Sequence, residues 1–159
     1  MKSLKRAKYM IGFVAFGLLV SAVTIWPMVN ELKLMVRIIG GDSAATGHLH
    51  GFLLRVIKGI EEVNASYPFL FYGYDWLAFA HIVLAILFMG AMRDPVRNVW
   101  VVQFGLITCA LIPILAGIFI PLRGLPWWWF WVDFAFAPVA AIPLWIALRD
   151  IRNTSNTGT

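Results

Sequence analysis

Four stretches of the chain are apolar almost throughout, and a long mixed segment separates the first two. The apolar runs reach from Tyr9 to Val29, from Trp76 to Met92 with only His81 intervening, from Val99 to Leu122, and from Leu125 to Leu148 with only Asp133 intervening. A helix needs about 20 apolar residues to cross a hydrocarbon core. The pattern therefore predicts four transmembrane helices over about residues 9–29, 76–92, 98–122 and 126–148. The expected fold class is an all-α membrane protein, a single four-helix transmembrane domain filling residues 1–152. The polar residues 153–159 are expected to form a disordered tail.

Residues 30–75 make an outer-side loop between the first two spans, and a featureless loop of that length is uncommon. Leu49, Phe52, Leu53, Val56, Ile57, Ile60 and Val63 recur at helical spacing, while His50, Arg55, Lys58, Glu61 and Glu62 fall mostly off that stripe. This predicts an amphipathic helix that lies on the outer membrane surface or caps the bundle. Arg55 and Lys58 exclude a fifth span, since each would cost about 2.5–3.5 kcal/mol at the bilayer centre. Gly40-Gly41-Asp42-Ser43 reads as a turn before this helix. Tyr67, Tyr72, Tyr74 and Trp76 lead into the second span and suit the interface.

The joints carry their own signals. Arg93-Asp94-Pro95 predicts a tight turn in which Asp94 caps the third spanning helix and Pro95 takes its first position, where no amide donor is needed. The segment from Pro121 to Pro126 predicts a short turn on the opposite side. Trp127, Trp128, Trp129 and Trp131 follow it and read as an aromatic belt in the headgroup zone. Gly17 and Ser21, and likewise Ala137 and Ala141, are four apart, a spacing that lets helix backbones approach. Pro113, Pro138 and Pro143 fall inside spans and are expected to kink them.

Composition sharpens this picture. Of the 159 residues 61% are hydrophobic and 13% charged, against roughly 25% charged in a soluble domain. The net charge of +5 is first an orientation signal. It comes with no basic patch on a soluble face, so no nucleic-acid partner is expected. Lys2, Lys5, Arg6, Lys8, Arg93, Arg97, Arg149 and Arg152 fall on one side of a four-span chain. Lys33, Arg37, Arg55, Lys58 and Arg123 fall on the other. The excess places both termini in the cytoplasm, in a bacterial inner membrane. The basic N-terminus also resembles a signal peptide, with Val20-Ser21-Ala22 as a cleavage site, but the apolar run continues beyond it and favours a retained helix. The single cysteine, Cys109, excludes an internal disulfide.

Chemistry is sparse. His81 and Asp133 are the ionisable groups within spans, where such groups are costly and often functional. Each lies about six residues, or roughly 9 Å, from the outer end of its helix, and Thr24 shares that layer. Equal depth predicts a His81–Asp133 pair, serving as a proton relay, a metal site, a quinone-binding group or a polar clamp. His48 and His50 are a second candidate for a metal. They can share an ion on an extended strand or at a helix start, but within a regular helix they point about 200° apart. No phosphate-binding glycine loop, nucleophile elbow or redox cysteine pair occurs, and no cofactor is specified. The partners expected are the lipid bilayer and other membrane subunits or further copies of the chain. Three classes remain open: a non-catalytic or accessory subunit of a membrane assembly; a metal- or quinone-dependent enzyme using the outer-leaflet His and Asp groups; and an oligomeric carrier or proton pathway.

Overall fold

The computed structural model describes residues 2–40 and 44–156. Among these, six α-helices follow one another without a strand: α1 (Lys2–Ile25), α2 (Met28–Ile39), α3 (Ala44–Ser66), α4 (Tyr72–Arg93), α5 (Val99–Leu122) and α6 (Trp129–Asn156). A short 3-10 turn, Pro68–Phe71, precedes α4. Four helical segments are long and apolar enough to cross a membrane: Ser3–Ile25, Pro68–Arg93, Val99–Leu122 and Trp129–Thr154. The fold class is thus an all-helical membrane protein with four spanning helices. The chain divides into two compact units, one of Met1–Leu18 with Leu84–Thr159, the other of Leu19–Val83.

The first unit holds the main core. The start of α1 contributes Ala7, Ile11, Val14 and Ala15, one helical face at spacings of four and three. The end of α4 adds Phe88 and Ala91, α5 adds Val101, Val102 and Cys109, and α6 adds Ala137, Leu144, Ala147, Leu148 and Ile151. Lipid tails are as apolar as these side chains, so close packing rather than removal from water holds such helices together. Gly105 marks a close approach. A Cβ there would stand 2.7 Å from Leu144 Cδ1 and 2.8 Å from Phe88 Cζ. At Gly17, singled out above for its small-residue spacing, a Cβ would meet nothing within 4 Å. The useful run of small residues is on α5, where Gly105 and Cys109 are buried one turn apart.

The second unit contains the segment expected to be largely loop. Pro27 has no amide hydrogen to extend α1, and its carbonyl instead accepts from the backbone N–H groups of Asn30 and Glu31 to start α2. The stretch from residue 30 therefore begins inside a helix, which ends at Gly40 with φ of 61°, a backbone state open to glycine. Gly41, Asp42 and Ser43 of the expected turn lie outside the described residues. Within α3, Leu53 and Ile57 are buried, while Arg55, Lys58, Glu61 and Glu62 are exposed. Helix α2 packs against α3, and Lys33 Nζ meets Glu61 Oε1 at 2.6 Å. Trp26 Nε1 donates to Asp75 Oδ1 at 3.0 Å.

Two joints differ in detail from the reading of the sequence. Helix α5 starts at Val99, and its N-cap is Asn98 rather than Asp94. The Asp94 carboxylate accepts from the Arg97 backbone N–H at 3.1 Å, and its carbonyl accepts from the Asn98 backbone N–H. Asp94 therefore stabilises the turn, and Pro95 is buried within it. At the other end α6 continues through Asn153 to Asn156, so the polar stretch from residue 153 opens as helix. Residues 157–159 lie outside the described residues.

Candidate functional site: polar groups of the spans

The turn between α5 and α6 is set by glycine. Gly124 has φ of 63°. Its N–H donates to the Pro121 carbonyl, and that of Leu125 donates to the Ile120 carbonyl. This paired closure is the Schellman motif, which satisfies the last carbonyls of a helix and needs a residue in the left-handed region. Arg123 precedes the turn, is exposed, and its guanidinium has no hydrogen bond or ion pair among the described residues.

Beside this turn, residues of α5 and α6 line an open cleft of about 360 Å³. Its walls are apolar, mainly Ile112, Ala116, Phe119, Ile120 and Phe136, and two charged side chains line it, Arg123 and Asp133. Asp133 stands four residues into α6 and is half-buried. The Trp129 side chain hydrogen-bonds its carboxylate. A carboxyl side chain has capacity for further hydrogen bonds.

The tryptophans around this turn are unevenly exposed. Trp127 and Trp131 stand open, Trp128 is at the edge of exposure and Trp129 is half-buried. Their rings interlock. Trp127 stacks on Phe130 with centroids 5.3 Å apart, and Trp128 meets Trp129 at 5.5 Å. Phe130 continues the stack to Phe134.

His81 is half-buried on α4, and its Nδ1 lies 2.8 Å from the Leu77 carbonyl. A carbonyl only accepts, so Nδ1 carries the proton and Nε2 offers a lone pair when the ring is neutral. His81 belongs to one unit of the chain and Asp133 to the other. Each has a hydrogen-bond partner on its own helix, the Leu77 carbonyl and Trp129, so the cost that motivates pairing them is met in part locally. Thr24 likewise gives its hydroxyl to the Ser21 carbonyl. His48 and His50 both lie within α3, the first exposed and the second half-buried. Two residues apart on a regular helix, their side chains leave on nearly opposite faces. Among the described residues no three His, Cys, Asp or Glu side chains gather where they could hold a metal ion.

A two-pronged contact between α1 and α6 has no signal in the sequence around either residue. Arg6 on α1 donates from Nε to Asp150 Oδ2 at 2.6 Å and from Nη2 to Asp150 Oδ1 at 2.5 Å. Side-chain exposure is 2% for Asp150 and 60% for Arg6, so the carboxylate is enclosed while its partner keeps contact with solvent. Thr154 gives its hydroxyl proton to the Asp150 carbonyl, which makes Ser3 the donor in the 3.0 Å Ser3–Thr154 contact. Lys8 Nζ donates to the Arg93 carbonyl. The beginning of α1, the end of α6 and the α4–α5 turn therefore meet at one end of the first unit. In the sequence Arg6 counted only toward a charge tally, and Asp150 was hidden between Arg149 and Arg152.

Fold and polar groups together define a small multi-pass integral membrane protein. Compared with protein-family models, curated proteins and solved structures, the chain matches none.

Proposed function

We propose that this chain is a non-catalytic subunit of a larger membrane assembly, with both termini on the cytoplasmic side of a bacterial inner membrane and α3 at the opposite surface. The observation that carries the reading is where the polar chemistry of the helices is spent. Arg6 closes on Asp150, His81 on the Leu77 carbonyl and Asp133 on Trp129. Thr24 and Thr108 bond carbonyls of their own helices. These contacts hold helices and turns in shape. Meanwhile only 22% to 28% of each span's apolar window is buried within the chain. Large side chains such as Trp100, Phe104, Ile107 and Leu111 remain exposed along α5. That surface suits lipid and equally the face of a neighbouring spanning helix, where packing drives association.

Orientation follows from the basic residues. The termini and the α4–α5 turn carry Lys2, Lys5, Arg6, Lys8, Arg93, Arg97, Arg149 and Arg152, and lysine and arginine flanks stay on the cytoplasmic side. The function is tested by extracting the tagged chain from its own membrane in polymer-bounded discs and weighing the captured particles. A second membrane protein at fixed stoichiometry is the expected result. A chain recovered alone as a monomer, or one carrying a metal or a visible chromophore, would overturn the reading.

A further inference from the structure

Helix α2 has twelve residues and buries none of them fully. It packs against α3, and Leu32, Val36 and Ile39 are half-buried. Another edge stays bare. Leu34, Met35 and Ile38 are 57%, 47% and 74% exposed and fall within an arc of about 100° at 3.6 residues per turn. Asn30, Lys33 and Arg37 are exposed beside them, within an arc of about 60°. Glu31 shares the apolar edge only in the first turn and is half-buried. Helices shorter than about 12–15 residues are marginal in water, so α2 needs an apolar medium beyond its partial cover. Its position supplies one. The preceding span, Ser3–Ile25, has 23 residues and rises about 34 Å, more than a hydrocarbon core about 30 Å thick. Only Trp26 and Pro27 separate it from α2, so α2 starts at the membrane boundary. Val20, Val23 and Trp26, exposed at spacings of three, carry apolar surface up to that boundary. The next junction repeats the pattern, with Phe69 and Leu70 exposed on the turn just before α4.

We infer that α2 is an interfacial helix, seated in the membrane surface along its Leu34, Met35 and Ile38 edge, with the lipid leaflet that the first span has just crossed as its partner. Such helices bury an apolar face about 5–10 Å into the headgroup and acyl boundary and leave the polar face to headgroups and water. Continuity favours lipid over a protein partner, because the bare edge follows directly on the exposed surface of a span. The Arg37 guanidinium, in the last turn, has no hydrogen bond or ion pair among the described residues, and its long side chain can keep its charge among phosphates. Lys33 is instead tied to Glu61 of α3 at 2.6 Å, so the seat of α2 also steadies α3. On α3 the apolar stripe has Leu53 and Ile57 already buried, whereas no residue of α2 is. The seat depends on the spans alone and not on membership of an assembly.

The test places single nitroxide labels on the full chain, with buried Cys109 replaced by alanine, in vesicles of phosphatidylethanolamine and phosphatidylglycerol. Oxygen concentrates in lipid and a nickel chelate stays in water, so the ratio of their collisions with a label reports its depth. Labels at Leu34, Met35 and Ile38 should lose nickel collisions and gain oxygen collisions relative to labels at Asn30 and Arg37. A label at Val23, exposed on the span itself, should meet oxygen and not nickel. Leu34→Asp combined with Ile38→Asp should free the helix, so that a label at Met35 regains nickel collisions while one at Val23 does not. All of these positions are exposed, so neither label nor charge displaces a packed side chain. Nickel contact along the edge with Val23 shielded leaves the span in place and overturns the seat. Exclusion of both probes from the edge would show protein covering it and overturns the proposal too. So does a Met35 label that stays shielded in the double variant. Nickel contact at Val23 removes the span and the seat together.

Discussion

Replacing Gly105 with alanine adds one methyl group at a close helix approach in the first unit. The new Cβ would stand 2.7 Å from Leu144 Cδ1 and 2.8 Å from Phe88 Cζ, against an optimal carbon–carbon separation of about 3.5–4.0 Å. The overlap is roughly 1 Å on two sides. Neither neighbour has room to yield, since Leu144 is 1% exposed and Phe88 4%. Overpacking a core of this kind costs about 1–3 kcal/mol, while alanine in place of glycine inside a helix gains about 0.5–1 kcal/mol. The cost wins, for a net loss of about 1 kcal/mol. Gly117, in the same helix, is the control, because a Cβ there would meet nothing within 4 Å. Gly117→Ala should therefore keep the helix gain alone and stabilise by about 0.5–1 kcal/mol. Equilibrium unfolding in bicelles, run on both variants, should place them about 1–3 kcal/mol apart. Should Gly105→Ala stabilise as much as Gly117→Ala, the account of helix packing around α5 fails.

Other substitutions probe separate joints. Gly124→Ala should cost about 1–2 kcal/mol in the same unfolding assay, from the left-handed backbone state alone, and Gly124→Asn should recover part of that loss. Arg6→Met strands the enclosed Asp150 carboxylate, whereas Asp150→Asn leaves Arg6 free to turn to water. The first should lower the melting temperature more, and the double variant should lose less than the sum of the two; strict additivity would show that the pair does not couple. On α3, cysteines at Leu53 and Ile57 should resist a membrane-impermeant thiol reagent while those at Arg55 and Glu62 react. Equal reaction at all four would remove the packed face of that helix.

The four spans were legible because uninterrupted apolar runs of this length have few other solutions. The stripe from Leu49 to Val63 falls within helix α3, where Leu53 and Ile57 are buried and Val63 is exposed. Helix α2 was overlooked, although Leu32, Met35, Val36 and Ile39 recur at helical spacing there. It directly continues the first apolar run, and only the missing amide of Pro27 separates the two. Asp94 was read as a helix cap because aspartate before proline commonly is one, but the turn itself claims its carboxylate. Contacts between distant segments left no local trace. Arg6 and Asp150 are 144 positions apart, and nothing in the neighbourhood of either residue announces the other. Gly105 is similar: its spacing of four from Cys109 matches the small-residue rule, but Gly17 and Ser21 match it as well. The cleft beside Asp133 is lined from both α5 and α6, and that meeting of two helices is a tertiary property that the residues around Asp133 do not announce.

The claim on which the rest depends is that the chain crosses the membrane four times and returns its end to the side on which it began. Reporter fusions in a bacterial host test it most directly, with one reporter active only outside the cytoplasm and one active only within it. Joined after Arg152, the external reporter should be silent and the internal one active. Joined after Gly40, between α2 and α3, the pattern should reverse. External activity at Arg152 combined with silence at Gly40 would invert the orientation, and the same signal at both positions would contradict the four crossings themselves.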